Sequence, residues 1–132
     1  MKRILVVSLL LLVAGCSNWE RQTFQTLSAS KAVLDQAQAD YTTRTIPQTH
    51  CAEAIINDGK AAQTAAVDAM VVYEQLKATK GSLTAQTVIV TADLATLAPM
   101  VVQIQALIAN PAVTCNAAAD QKAIEKLKGT PQ

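Results

Sequence analysis

VIVTADLATLAPMVVQIQALIA, residues 88–109, is the stretch that decides the fold. Within it Val90, Leu94, Leu97, Val101, Ile104 and Ile108 are separated by alternating steps of four and three. That is the a/d seam of helices packed lengthwise, not the period of two that a strand requires. Pro99 falls inside the seam and has no N–H for the Ala95 carbonyl, so a kink near Ala95 is expected. Between Gly81 and Ala119 the only charged residue is Asp93. A run this apolar also has the length of a membrane span. Asp93, Pro99, Gln103, Gln105 and the regular heptad instead favour a helix in a soluble bundle. Its outer face, covered by Thr, Gln and Ala, reads either as a partner surface or as an ordinary surface of low charge.

Working outward, Asn110-Pro111 stops this helix, and a short last one is expected over about 117–128, with Asn116 as N-cap, Gly129 at its end, and Ile124 and Leu127 as its apolar stripe. Upstream, Gly81-Ser82 reads as a helix-terminal Gly followed by an N-cap Ser, a short αα connection. Before it Ala52, Gly59, Ala62, Ala66, Ala69, Tyr73 and Leu76 mark one face of a second long helix, widened by Ile56, Val67, Met70 and Val72. That helix begins near Thr45-Ile46-Pro47-Gln48, where Pro47 disfavours a helical neighbour and Thr-x-x-Gln resembles a capping box. A first helix, about 18–44, carries Phe24, Leu27, Leu34 and Tyr41 in a seven-residue pattern interrupted by Lys31 and Gln38. The expected fold is all-α: an antiparallel bundle of three long helices plus a short C-terminal one, with coiled-coil-like packing.

The leader has its own organisation. Lys2 and Arg3 form a positive n-region, Ile4 to Val13 an apolar h-region, and Ala14-Gly15 a small-residue cleavage site. Val13-Ala14-Gly15-Cys16 resembles the lipobox of bacterial lipoprotein signals. The resemblance implies that residues 1–15 are removed and that the Cys16 sulfur receives a diacylglycerol. It further implies an acyl chain such as palmitate on the new amino group. Two or more chains give stable anchoring where one is marginal. The implied home is the periplasmic face of a cell-envelope membrane. The outer membrane is favoured, because Ser17 follows the Cys where an inner-membrane retention signal has Asp. Helical lipoproteins joined covalently to peptidoglycan end in Lys, and the sequence here closes Gly129-Thr130-Pro131-Gln132, so that attachment is not expected.

Removing 15 of the 132 residues leaves 117, residues 16–132, enough for one domain. Nine basic residues then face ten acidic ones. Such a balance supplies no positive field for nucleic acid. Aromatics make up 3% of the chain, so the core must be built from Ala, Val, Leu and Ile.

Cys51 and Cys115 lie 30 and 33 residues from the Gly81-Ser82 turn, so the two arms, at about 1.5 Å per residue, end within about 5 Å of one another. Export places them in an oxidising compartment. A disulfide is therefore expected, with separate buried thiols as the alternative. His50 beside Cys51 invites a metal or thiol–imidazole reading, but it is the only His and no carboxylates with ligand spacing accompany it. A first-turn surface position is expected instead. Trp19 fits either the lipid interface or the end of the bundle. No catalytic residue, metal site, small-molecule substrate or cofactor is expected beyond the covalent lipid on Cys16. The leading expectation is a non-catalytic envelope lipoprotein, structural or interacting with a protein partner or its own copies through helix faces. An immunity, exclusion or inhibitor lipoprotein that binds one protein is the second.

Overall fold

The structure, a computed structural model, describes residues 18–129. Among them there are five helices and no strand: α1 (Trp19–Thr42), α2 (His50–Ala78), α3 (Thr84–Ala109), α4 (Pro111–Thr114) and α5 (Ala117–Lys128). The three long helices each pack against the other two, and α5 packs against α2. The leader, Cys16 and Ser17 lie outside the described residues.

The helix boundaries follow from capping chemistry, with two shifts from the sequence reading. Asn116 caps α5 as expected, its side-chain oxygen accepting the Ala119 N–H at 3.0 Å, and Asn110, expected only to stop the preceding helix, also caps the unforeseen α4, accepting the Val113 N–H at 3.4 Å. The cap of α2 is Thr49, whose Oγ1 accepts the Ala52 N–H at 3.2 Å, and not Thr45. Gln48 is committed elsewhere, donating from Nε2 to the Tyr41 carbonyl at 3.0 Å, and Ile46 is buried in the connection. The second shift lies between α2 and α3. Lys80, not Gly81, takes the left-handed backbone, with φ of 56°. The Lys80 N–H then reaches the Lys77 carbonyl at 3.3 Å and the Gly81 N–H the Leu76 carbonyl at 2.7 Å. Together these form a Schellman ending. Leu83 rather than Ser82 precedes α3, and no side chain caps it. Arg44 makes the same left-handed turn after α1, at φ of 63°.

The α3 seam packs as its spacing predicts. Val90, Leu97 and Ile104 are fully buried, Leu94, Val101 and Ile108 half-buried, and Leu107 joins them inside. The helix continues unbroken through Pro99. Along α2, Ala52, Gly59, Ala62, Ala66, Ala69 and Tyr73 are buried, with Ile56 and Met70 beside them. Val67 and Val72 are exposed, since only the flank next to the Ala stripe is covered. In α1 the expected face is displaced by one residue at alternate positions. Thr23, Leu27, Ser30, Leu34 and Ala37 are buried, whereas Phe24 and Lys31 are exposed and Gln38 is half-buried. The buried hydroxyls are satisfied on their own helix: Thr23 donates to the Trp19 carbonyl at 2.9 Å and Ser30 to that of Thr26 at 2.8 Å. In α5 Ala119 and Ala123 face the core and Leu127 is exposed.

The core has two parts. One gathers Leu34, Ala37, Ile46, Ile55, Ile56, Ile104 and Leu107 around Cys51. The other gathers Leu27, Met70, Tyr73, Val90 and Leu97 around the alanines of α2. A buried Leu or Ile contributes about 1.5–3 kcal/mol, so each large side chain matters in a core so rich in Ala. Gly59 sits where the two parts join, close against Ile104 and Leu34.

Candidate functional site

Starting at α2, Cys51 occupies the second position of the helix and its sulfur is bonded to that of Cys115, with Cα atoms 5.6 Å apart. Cys115 stands between α4 and α5, held by its N–H to the Pro111 carbonyl at 2.9 Å. The arm-length estimate from the sequence thus agrees with the geometry. Asp120, which the sequence reading passed over, accepts the Cys51 N–H at 2.9 Å. It serves α2 as a second N-terminal acceptor contributed by another helix, where a carboxylate is favoured by the exposed N–H groups and the helix dipole. Only its position in the first turn of α5, four residues after an Asn cap, was visible beforehand. Lys126 to Asp58, at 2.8 Å, ties the same two helices further along.

His50 is exposed on the first turn of α2. Its neighbour's sulfur is committed to the disulfide, which removes the thiol from any thiol–imidazole pair. Among the described residues no group of three His, Cys, Asp or Glu converges to hold a metal ion.

At the opposite end, Trp19 packs on Tyr73, ring centroids 5.0 Å apart and planes inclined by 57°. This answers the question the sequence left open: the indole covers the end of the bundle core. Beside it Lys77 Nζ contacts both carboxylate oxygens of Glu20, at 2.9 and 2.7 Å. The Lys77 ammonium holds the Glu20 carboxyl below its usual range, and Glu20 in turn raises Lys77. Glu74 stands next to the same carboxylate, which raises its own affinity for a proton, and partial burial adds to this.

Two surfaces remain apolar. Between α1 and α2 runs an open groove of about 600 Å³, floored by Leu27 and Met70 and walled by Phe24, Val67 and Val71, with Lys31 and Glu74 at its rim. The other surface is the outer side of α3. This helix is long and apolar enough to cross a membrane by length and composition, and only 17% of its most apolar window is buried. The inner seam is satisfied within the bundle, but Val88 at 65% exposure and Val102 at 48% face outward, along with Ala92, Ala95, Pro99 and Ala106. The sequence reading gave this outer face to Thr, Gln and Ala and did not place Val88, Pro99 or Val102 on it. Their signal was present, because they repeat the core spacing two residues earlier.

No known protein family, curated protein or solved structure matches the chain.

Proposed function

We propose that this protein is a membrane-tethered helical lipoprotein of the cell envelope, anchored through lipid on Cys16 and acting as a non-catalytic structural or protein-interaction component. The observation that carries the reading is Val13-Ala14-Gly15-Cys16 following a charged and then an apolar leader. The Cys51–Cys115 bond agrees with residence in an oxidising compartment such as the periplasm. The domain, residues 16–132, is taken as an antiparallel, coiled-coil-like bundle. Contacts of the α1 start with the α2 end through Glu20–Lys77, and of the α2 start with the α3 exit through Cys51–Cys115, support that arrangement. The outer membrane is the preferred site because Ser17 follows the anchor.

The test is labelling of the full chain with a fatty-acid analogue in a bacterial host, together with membrane fractionation. Labelled, membrane-bound protein is expected from the parent. An unlabelled, larger or misplaced precursor is expected from Cys16→Ser. Equal labelling of the two would end the reading.

A second reading is favoured by the uncharged outer face of α3: an immunity, exclusion or inhibitor lipoprotein that binds one protein partner. It predicts a single stable heterocomplex from detergent-solubilised membranes and no envelope defect on deletion. A structural component predicts the reverse.

A further inference from the structure

Residues 111–128, which carry α4 and α5, add no fully buried side chain to the fold. Among the described residues every buried side chain lies at or before Leu107, so the core is built by α1, α2, α3 and Ile46. From outside, α5 lays Ala119 and Ala123 against it, with Ile124 half-buried. Its 12 residues are too few to keep a helix in water without support. Polar ties to α2 come from Asp120, which accepts the Cys51 N–H at 2.9 Å, and from Lys126, paired with Asp58 at 2.8 Å. The second joins largely exposed side chains and adds little. Cys51, Ile55 and Asp58 share one face of α2 at steps of four and three, so Ile55 lies between the two ties. The covalent link enters at Cys115, two residues ahead of α5.

We propose that the Cys51–Cys115 bond is a reducible clasp and that α4–α5 is the lid it holds. Thiol–disulfide exchange with a dithiol frees Cys115, the lid lifts from the first turns of α2, and the three long helices stay packed. Nothing in this step depends on the Cys16 anchor.

The two sulfurs differ in access. Cys51 is 5% exposed, within the core, whereas Cys115 is half-buried in the irregular link between α4 and α5. A thiolate of the dithiol therefore attacks Cys115 Sγ. A new S–S bond forms there, the Cys51–Cys115 bond breaks, and its electron pair leaves on Cys51 Sγ. Cys51 suits the leaving thiolate because it is the second residue of α2, at the positive end of the helix dipole. Asp120 then meets a second negative charge beside the N–H it holds, which loosens the remaining tie. The dithiol's other thiolate attacks its own sulfur in the mixed bond and expels Cys115. Protons given up by the dithiol pass through solvent to the two cysteines. The dithiol ends as a disulfide and this chain as two thiols.

Hydrogen exchange of the full chain in detergent, read by mass spectrometry before and after dithiothreitol, tests the lid. Amides of residues 111–128 are expected to exchange at least about tenfold faster after reduction, while those of residues 90–107 keep their protection. Unchanged exchange over 111–128 overturns the proposal. So does an equal loss of protection across α1, α2 and α3, which would make the bond a staple of the whole bundle. Oxidised Asp120→Ala is expected to keep 111–128 slow, and fast exchange there would assign the hold to Asp120 and overturn the clasp. The order of attack is read separately by brief exposure to glutathione at neutral pH, an acid quench and a peptide map. The adduct is expected on Cys115, with Cys51 as the free thiol. An adduct on Cys51, or none, overturns the step as written.

Discussion

Gly59 and Ile104 meet where the two halves of the core join: a Cβ on Gly59 would run into Ile104 Cδ1 and lie 2.9 Å from Leu34 Cδ2. Mid-helix glycine costs about 1 kcal/mol relative to alanine, yet here it allows α2 to approach both neighbours closely. Gly59→Ala is therefore expected to fall short of that gain, because two terminal methyls must move. Ile104→Val removes the nearer methyl at a cost of about 1 kcal/mol. The double variant should be more stable than the sum of the singles by at least about 0.5 kcal/mol in denaturant melts. Additivity within error would show that the close approach is not felt.

The disulfide closes a sequence separation of 64 residues. In the chain-entropy account that is worth about 4 kcal/mol. Reduction, or Cys115→Ser, should lower the unfolding midpoint by on the order of 10 °C or more, read by far-ultraviolet circular dichroism. Thiol titration of denatured, non-reduced protein should find neither Cys51 nor Cys115 reactive. Two alkylatable thiols would place these two helix ends apart.

Lys80 holds a left-handed backbone that costs a residue with a Cβ about 1–2 kcal/mol relative to glycine. Lys80→Gly should stabilise the domain by about 1 kcal/mol, while Gly81→Ala should be neutral or unfavourable, since its Cβ would sit 3.0 Å from Leu76 Cδ2. Equal melts for Lys80→Gly and the parent would show that the turn relaxes otherwise.

The Glu20, Glu74 and Lys77 group gives two opposed pH dependences. Glu20 is held below its usual range by Lys77, so its contribution is present above about pH 4.5 and disappears as pH falls through the lower folded value. Glu74 is raised by Glu20, so its contribution is present below about pH 4.5 and is lost as pH rises through the higher folded value. At pH 7 Glu74→Gln should therefore raise the melting temperature slightly and Glu20→Gln lower it, each by about 1–2 °C because water screens the site. Both differences should shrink toward pH 3. Shifts of the same sign at pH 7 would contradict the geometry.

How much of this was readable in the sequence depends on what each helix uses for packing. α3 marks its buried side with Val, Leu and Ile at heptad spacing, and the structure buries that side. α1 hides its seam, because Thr23 and Ser30 pass for surface residues until their hydroxyls are seen to bond the preceding turn. With those positions discounted, Phe24 and Lys31 supplied a false phase one residue away. The turns misled for a related reason. Gly81 is the obvious left-handed residue, but Leu76 sits at the third position from the helix end, so the bond that Gly81 makes to its carbonyl puts Lys80 in the strained place. The disulfide was legible from arm lengths. Asp120 was not, since its acceptor role depends on where α5 docks.

The Cys51–Cys115 bond encloses α2 and α3 in one covalent ring and leaves α1 outside it. A pull applied at the N-terminus and resisted at α3 therefore meets no covalent link across the bundle other than the short turn between α1 and α2. The mechanical weak point is the noncovalent seam of α1, fastened by Glu20–Lys77, Gln38–Lys60 and the Gln63 amide on the Leu27 carbonyl. Under such tension α1 is expected to peel away from its N-terminal end while α2 and α3 stay joined through the disulfide. Drawn out, the 24 residues of that helix, about 36 Å long as folded, lengthen toward about 80 Å.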